Sequence, residues 1–279
     1  MKFRNLSATA TSLPIVFLLT GSTFAATALT WDTTASDSAI TGGAGTWNTT
    51  NTNWTADAGV SNVSWNNANN DTATLQGTAG AITLGEPITT GGITFSTASY
   101  SITGSTLTFG ATANTVTNAG AASISSIIAG TTGFTKAGAG TLTLGSGTAD
   151  TAGNTNSGKI TASAGTIAMN KAAATNAIAG DLELSGATLT WSRANQIKDT
   201  ANVTISGTGQ LATAFTDTFA SLTSTGNTGR FNPGSGSNVD PRRRILAHRQ
   251  QRRQQHQLLL DRLEQRELHH DREDGEVVR

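Results

Sequence analysis

The chain has 279 residues, a formal net charge of zero, no cysteine and a hydrophobic content of 36%. That length can bury a sizeable core, and the missing cysteines exclude disulfide staples as its source of stability. The zero charge hides an acidic body, with six Lys or Arg against eleven Asp or Glu in residues 26–240, which offers no electrostatic footprint for nucleic acid.

Lys2 and Arg4 precede an apolar run from Leu13 to Leu19 and small residues at Thr23-Phe24-Ala25-Ala26. This is the layout of a secretory signal peptide over residues 1–25, cleaved after Ala25. The run falls well short of the ~20 residues needed to cross a bilayer and contains Pro14, so no transmembrane segment is expected once the leader is removed. An exported chain without cysteines must draw its stability from length and stacking.

Residues 26–70 are rich in Trp, Asn, Asp and Thr, as in Trp31-Asp32, Gly45-Thr46-Trp47-Asn48, Asn53-Trp54 and Trp65-Asn66-Asn67. Four of the five Trp lie here, which predicts an N-terminal cap that covers the first coil of a stacked fold. The alternative is a carbohydrate-stacking face, since indole rings offer flat apolar surfaces beside a polar handle.

From residue 71 to 240 apolar residues alternate with Thr, Ser and other polar groups. Ile82-Thr83-Leu84, Ile93-Thr94-Phe95, Leu107-Thr108-Phe109, Leu142-Thr143-Leu144, Leu182-Glu183-Leu184, Thr188-Leu189-Thr190-Trp191 and Val203-Thr204-Ile205 all have period 2 and read as strands. Thr suits the outward positions because its β-branch favours an extended backbone and its hydroxyl favours water. Neither Asn-Gly nor Asp-Gly, the usual hairpin turns, occurs in this body. Repeating strands with variable loops instead predict an all-β, right-handed parallel β-helix of roughly 20–25 residues per coil. Its last coil is expected over residues 203–219, with Leu211 and Phe219 incompletely buried.

Within Gly133 to Met169, the residues Gly133, Thr135-Lys136, Gly138, Gly140-Thr141-Leu142-Thr143-Leu144 and Gly165-Thr166-Ile167 follow one pattern. It resembles the autotransporter-associated β-strand repeat. The resemblance implies the passenger region of a bacterial surface protein: exported, secreted or held at the cell surface, structural or adhesive, and not an enzyme. Full-length relatives would end in an outer-membrane β-barrel or another anchor. The implied partner is an unidentified surface ligand or a neighbouring cell-surface polymer. An uncovered coil edge would also invite self-association.

Parallel β-helices also host polysaccharide-cleaving enzymes, so a carbohydrate-active or carbohydrate-binding protein is the alternative. Sugar hydrolysis needs two carboxylates at a set separation across a cleft. Asp150, Asp181, Glu183, Asp199 and Asp217 are scattered, and only Asp181 and Glu183 share a strand face, flanking inward Leu182 and Leu184. The body has no histidine to act as a base. Gly138-Ala139-Gly140 precedes a strand, whereas a phosphate cradle needs a following helix N-terminus. No catalytic, cofactor-binding or metal-binding residue is assigned.

At Pro241 the composition changes. Residues 241–279 lack Thr, Ser and Asn, hold one of the 31 Gly, and carry ten Lys or Arg against seven Asp or Glu. All four histidines lie here, and His248, His256, His269 and His270, with Asp271, Glu273 and Asp274, have no spacing that fixes a tetrahedral site. Suitable codons for the segment from His248 to Gln255, read one base later, yield a Thr-Gly-Asn-Asn run like the repeat's own turns. The tail is therefore expected to be a frameshifted continuation of the solenoid, disordered or helical.

Overall fold

A computed structural model describes residues 26–233 except 214 and 227. The expected signal peptide and the basic tail, with its histidines and its frameshift reading, lie outside the described residues. Every helix or strand within them is a strand, 22 in all. The Ala-rich stretch from Lys171 to Ala174 forms only a turn.

Two long sheets and one short sheet wrap a single core. The first sheet stacks Ala28–Trp31, Thr72–Leu75, Gly92–Phe95, Thr115–Asn118, Thr135–Ala137, Ile160–Ala162, Leu182–Leu184, Asn202–Ser206 and Ser221–Thr225, all parallel. The second runs in the same way from Gly45–Trp47 through Thr141–Leu144 to Arg230–Pro233. The chain visits the two sheets alternately, so each visit to both is one coil and the fold is a parallel β-helix. Successive coils advance by 20 residues at Thr115↔Thr135, 26 at Thr135↔Thr161 and 19 at Val203↔Leu222. Unequal steps leave the register intact because insertions leave the stack as loops.

The alternation of the sequence is the alternation of burial. Thr141–Leu144 turns Leu142 and Leu144 inward, both 0% exposed, with Thr141 and Thr143 outward. Equivalent side chains then stack as ladders: Ile82, Ile102, Ile124, Leu144, Met169 and Trp191 form one. Each fully buried aliphatic side chain contributes about 1.5–3 kcal/mol. Corners are tight, and Gly138 and Gly165 have φ of 77° and 70°. A Cβ at either would lie 2.4 Å from a main-chain oxygen of the preceding coil, so both positions require glycine.

The third sheet contains only Ile88–Thr90, Leu107–Phe109 and Ile128–Ala129. Beyond it a side chain takes over from the ladder. Asn154 Oδ1 accepts from the Ile128 N–H at 2.9 Å, and Asn154 Nδ2 donates to the Ala177 carbonyl at 2.7 Å. One buried amide thus joins the coil before it to the coil after it.

The first 45 described residues are continuous with the solenoid, since Ala28 pairs with Thr72 and Gly45 with Ile82 in parallel register. The first coil is simply oversized, advancing by 44 residues. Its surplus chain folds back as Trp54–Thr55, antiparallel to Ala28–Trp31 at the edge of the first sheet. Asn51 and Asn53 direct their amides at the Thr46 carbonyl on the second sheet's edge strand, each at 3.4 Å. Covered and capped edges resist adding another strand. Trp31, Trp47, Trp54 and Trp65 are at most 1% exposed, so they are core residues, and these four rings present no stacking face.

The C-terminal end corrects one expectation. Ser221–Thr225 and Arg230–Pro233 add a further coil on Asn202–Ser206 and Gln210–Thr213. Leu211 is consequently 0% and Phe219 6% exposed. The sequence underestimated this coil because Ser221-Leu222-Thr223-Ser224-Thr225 offers only one apolar residue to its period.

Candidate functional site

Outward positions stack into ladders as regularly as inward ones. On the first sheet, Thr115, Thr135, Thr161, Glu183, Thr204 and Thr223 lie in consecutive coils. On the second, Thr141, Thr166 and Thr188 form one row and Ser101, Ser123 and Thr143 another. All are half-buried or exposed. Parallel strands repeat at about 4.8 Å, so these hydroxyls form rows at that spacing along the axis. Glu183 is the only charge in the rows named.

The five acidic residues considered from the sequence are not gathered in a cleft. Asp181 is exposed and accepts from the Asn202 main-chain N–H at 2.8 Å. Glu183 pairs with Lys159 at 2.6 Å, with side-chain exposures of 29% and 56%. Asp199 is exposed, whereas Asp150 and Asp217 are buried in separate contacts. An open groove of about 310 Å³ beside Lys159 is lined by Asn114, Thr131, Phe134, Thr135 and Thr161. Exposed pairs contribute roughly 0–1 kcal/mol. Asp181→Ala combined with Glu183→Ala should therefore lower stability by less than about 1 kcal/mol, measured by urea unfolding; a larger loss would give the pair a role the geometry does not.

Sequence reading missed the buried polar groups that link the coils. Lys136 is 0% exposed, in one ladder with Val116 and Ala162. Its Nζ donates to the carbonyls of Ala137 and Gly138 at 2.8 Å and of Ala164 at 3.1 Å, so all three of its protons are used. Burial holds its amine down to about 8. One coil later, Lys171 Nζ reaches Asp150 Oδ1 at 3.0 Å, with exposures of 0% and 6%. The Lys171 N–H donates to Gln196 Oε1, and Gln196 Nε2 donates to the Ala172 carbonyl, both at 2.8 Å.

The same line of contacts ends at Asp217. Its Oδ2 accepts from the N–H groups of Gln196 at 2.7 Å and Ile197 at 3.1 Å, and its Oδ1 accepts from that of Thr218 at 2.9 Å. Desolvation nevertheless pushes this carboxyl up to about 6 from 3.8, with Asp199 adding a like charge. A raised folded-state value means that the folded chain takes up the proton first, so stability rises as pH falls through about 6 and levels off below the unfolded value. Lowering the pH from about 7 to about 5 should add about 1 kcal/mol through this group. Urea unfolding at both values will test this, because Asp217→Asn should remove that increment; an unchanged pH dependence in the variant would refute the assignment.

The fold and its ladders define a parallel β-helix: a stacked rod whose outward surface repeats from coil to coil. The chain is 43% identical over 121 residues to the adhesin BmaC autotransporter of Brucella suis biovar 1 (strain 1330). That similarity takes in 42% of this chain and 4% of the adhesin, so the chain spans only a small fraction of its relative's length. No family model matches the chain. No solved structure matches it either.

Proposed function

We propose that the chain is a segment of an exported, non-catalytic adhesive surface protein, working as a passenger-type rod whose Thr, Ser and Asn rows meet a surface ligand or a neighbouring cell-surface polymer. The observation that carries this reading is the run of almost uncharged hydroxyl rows along both long sheets. Rows at regular spacing suit many weak, repeated contacts with an extended partner, whose avidity comes from number rather than from one deep pocket. The similarity to an adhesin supports the same reading.

The test is retention of the purified full chain on immobilised cell-surface polymers and intact cells. Binding should change little with salt, because neutral rows are insensitive to screening. Thr143→Val, Thr166→Val and Thr188→Val together keep the shape while removing hydroxyls, and should weaken retention without unfolding the rod. Cleavage of the polymer, or equal retention by the triple variant, would overturn the reading.

A further inference from the structure

The N-terminal half of the first sheet carries a two-dimensional array of threonine. Thr30, Thr74, Thr94 and Thr117 lie in direct register on four consecutive coils. Two residues upstream on the same strands, a second row runs Ala28, Thr72, Gly92, Thr115, Thr135 and Thr161. Parallel strands lie about 4.8 Å apart and rise about 3.3 Å per residue, so the array repeats at about 4.8 Å along the axis and about 6.6 Å across it.

The hydroxyls of this array are free. None of its eight threonines bonds through the side chain to another described residue. Hydroxyls elsewhere are engaged: that of Thr90 lies 2.9 Å from the carbonyls of Asp71 and Gly92, while Ser163 and Ser185, farther along the sheet, turn theirs onto the carbonyls of Lys136 and Ala162. Neither row holds an ionisable side chain from Ala28 to Thr161. The array is also rigid, because β-branching restricts χ1 and the intervening Leu29, Ala73, Ile93 and Val116 are buried in the core.

We propose that this face of the first sheet binds ice. Each threonine sets a hydroxyl, which bonds to water, beside a methyl, which limits competing hydration, and the repeats of the array are close to those between oxygen rows on a prism face of hexagonal ice. The charge matches too. Ice is an uncharged lattice, and an ionised side chain would hold a hydration shell foreign to it. Stiff side chains lose little freedom on contact, so many weak contacts can add up. The second sheet fits less well, since Ala168, Gln210 and Arg230 interrupt its hydroxyl rows. This inference does not rest on the adhesive reading, whose ligand is a polymer.

The test is the growth of ice just below its melting point in the presence of the purified full chain. The chain should facet growing crystals, slow recrystallisation and partition with the ice. Thr72→Lys combined with Thr115→Lys puts charges on two exposed positions of the array, and should abolish these effects without changing the protein's melting temperature. Thr94→Lys, in the other row, is an independent variant should the first fail to fold. Thr151→Lys, on an exposed loop outside both sheets, should leave the effects intact. Ice unchanged by the unaltered chain would overturn the proposal; so would full activity in a folded array variant, or loss of activity in Thr151→Lys. Retention on a neutral polysaccharide with no effect on ice would sink this proposal and leave the adhesive reading standing.

Discussion

Lys171→Met is expected to destabilise the solenoid by about 3–5 kcal/mol, because it leaves Asp150 charged, buried and without its counter-ion. The pair sits where stacked coils leave the second sheet: Asp150 follows Thr141–Leu144 and Lys171 follows Thr166–Met169, strands in direct register. Its 3.0 Å contact is shielded from water on both sides, so little screening weakens it. Asp150→Asn should cost a similar amount by stranding the ammonium. The double variant, Asp150→Asn with Lys171→Met, should recover most of the loss, since replacing a whole buried pair by neutral groups is often close to harmless. The main-chain bond from Lys171 to Gln196 persists in every variant, so the cycle isolates the ion pair. Additive single losses in denaturant unfolding would show that the two charges are not coupled.

Period 2 made most of the fold legible, because a strand with one face in the core must alternate. In Thr141-Leu142-Thr143-Leu144 hydropathy and parity agree, and the inward and outward faces follow directly. At Phe134-Thr135-Lys136 they disagree. Parity places Lys136 inside beside Phe134, hydropathy places it outside, and parity prevails because three corner carbonyls accept its ammonium. Those carbonyls come from two coils, and no local pattern announces them.

The coil-to-coil contacts were hidden for a related reason. Steps varying between 19 and 26 residues conceal which side chains stack, so the bridging role of Asn154 and the link from Gln196 to Asp217 require the register first. Asn62 Nδ2 and the Asp32 carbonyl that it meets at 2.9 Å are 30 residues apart within the oversized first coil, whose length belongs to no repeat. The outward rows, in contrast, were legible as composition, although their continuity from coil to coil emerges only from the pairing.

Trp54→Ala should be the most damaging single change in the first coil, lowering stability by about 3–5 kcal/mol. Its ring centroid lies 5.2 Å from that of Trp31 and 4.7 Å from those of Trp47 and Trp65, all in edge-on or tilted arrangements that favour aromatic pairs. Truncation would leave three indoles facing a cavity. It would also loosen the antiparallel pairing of Trp31 with Trp54, uncovering the Ala28–Trp31 edge of the first sheet. Two readouts should therefore move together: the unfolding midpoint should fall, and the folded protein should show concentration-dependent association on size exclusion, as an unpaired strand edge invites. Trp54→Phe keeps an aromatic ring in the cluster and should lose much less, without association. If Trp54→Ala costs under about 1 kcal/mol and stays monomeric, the cluster is not what holds the edge strand in place.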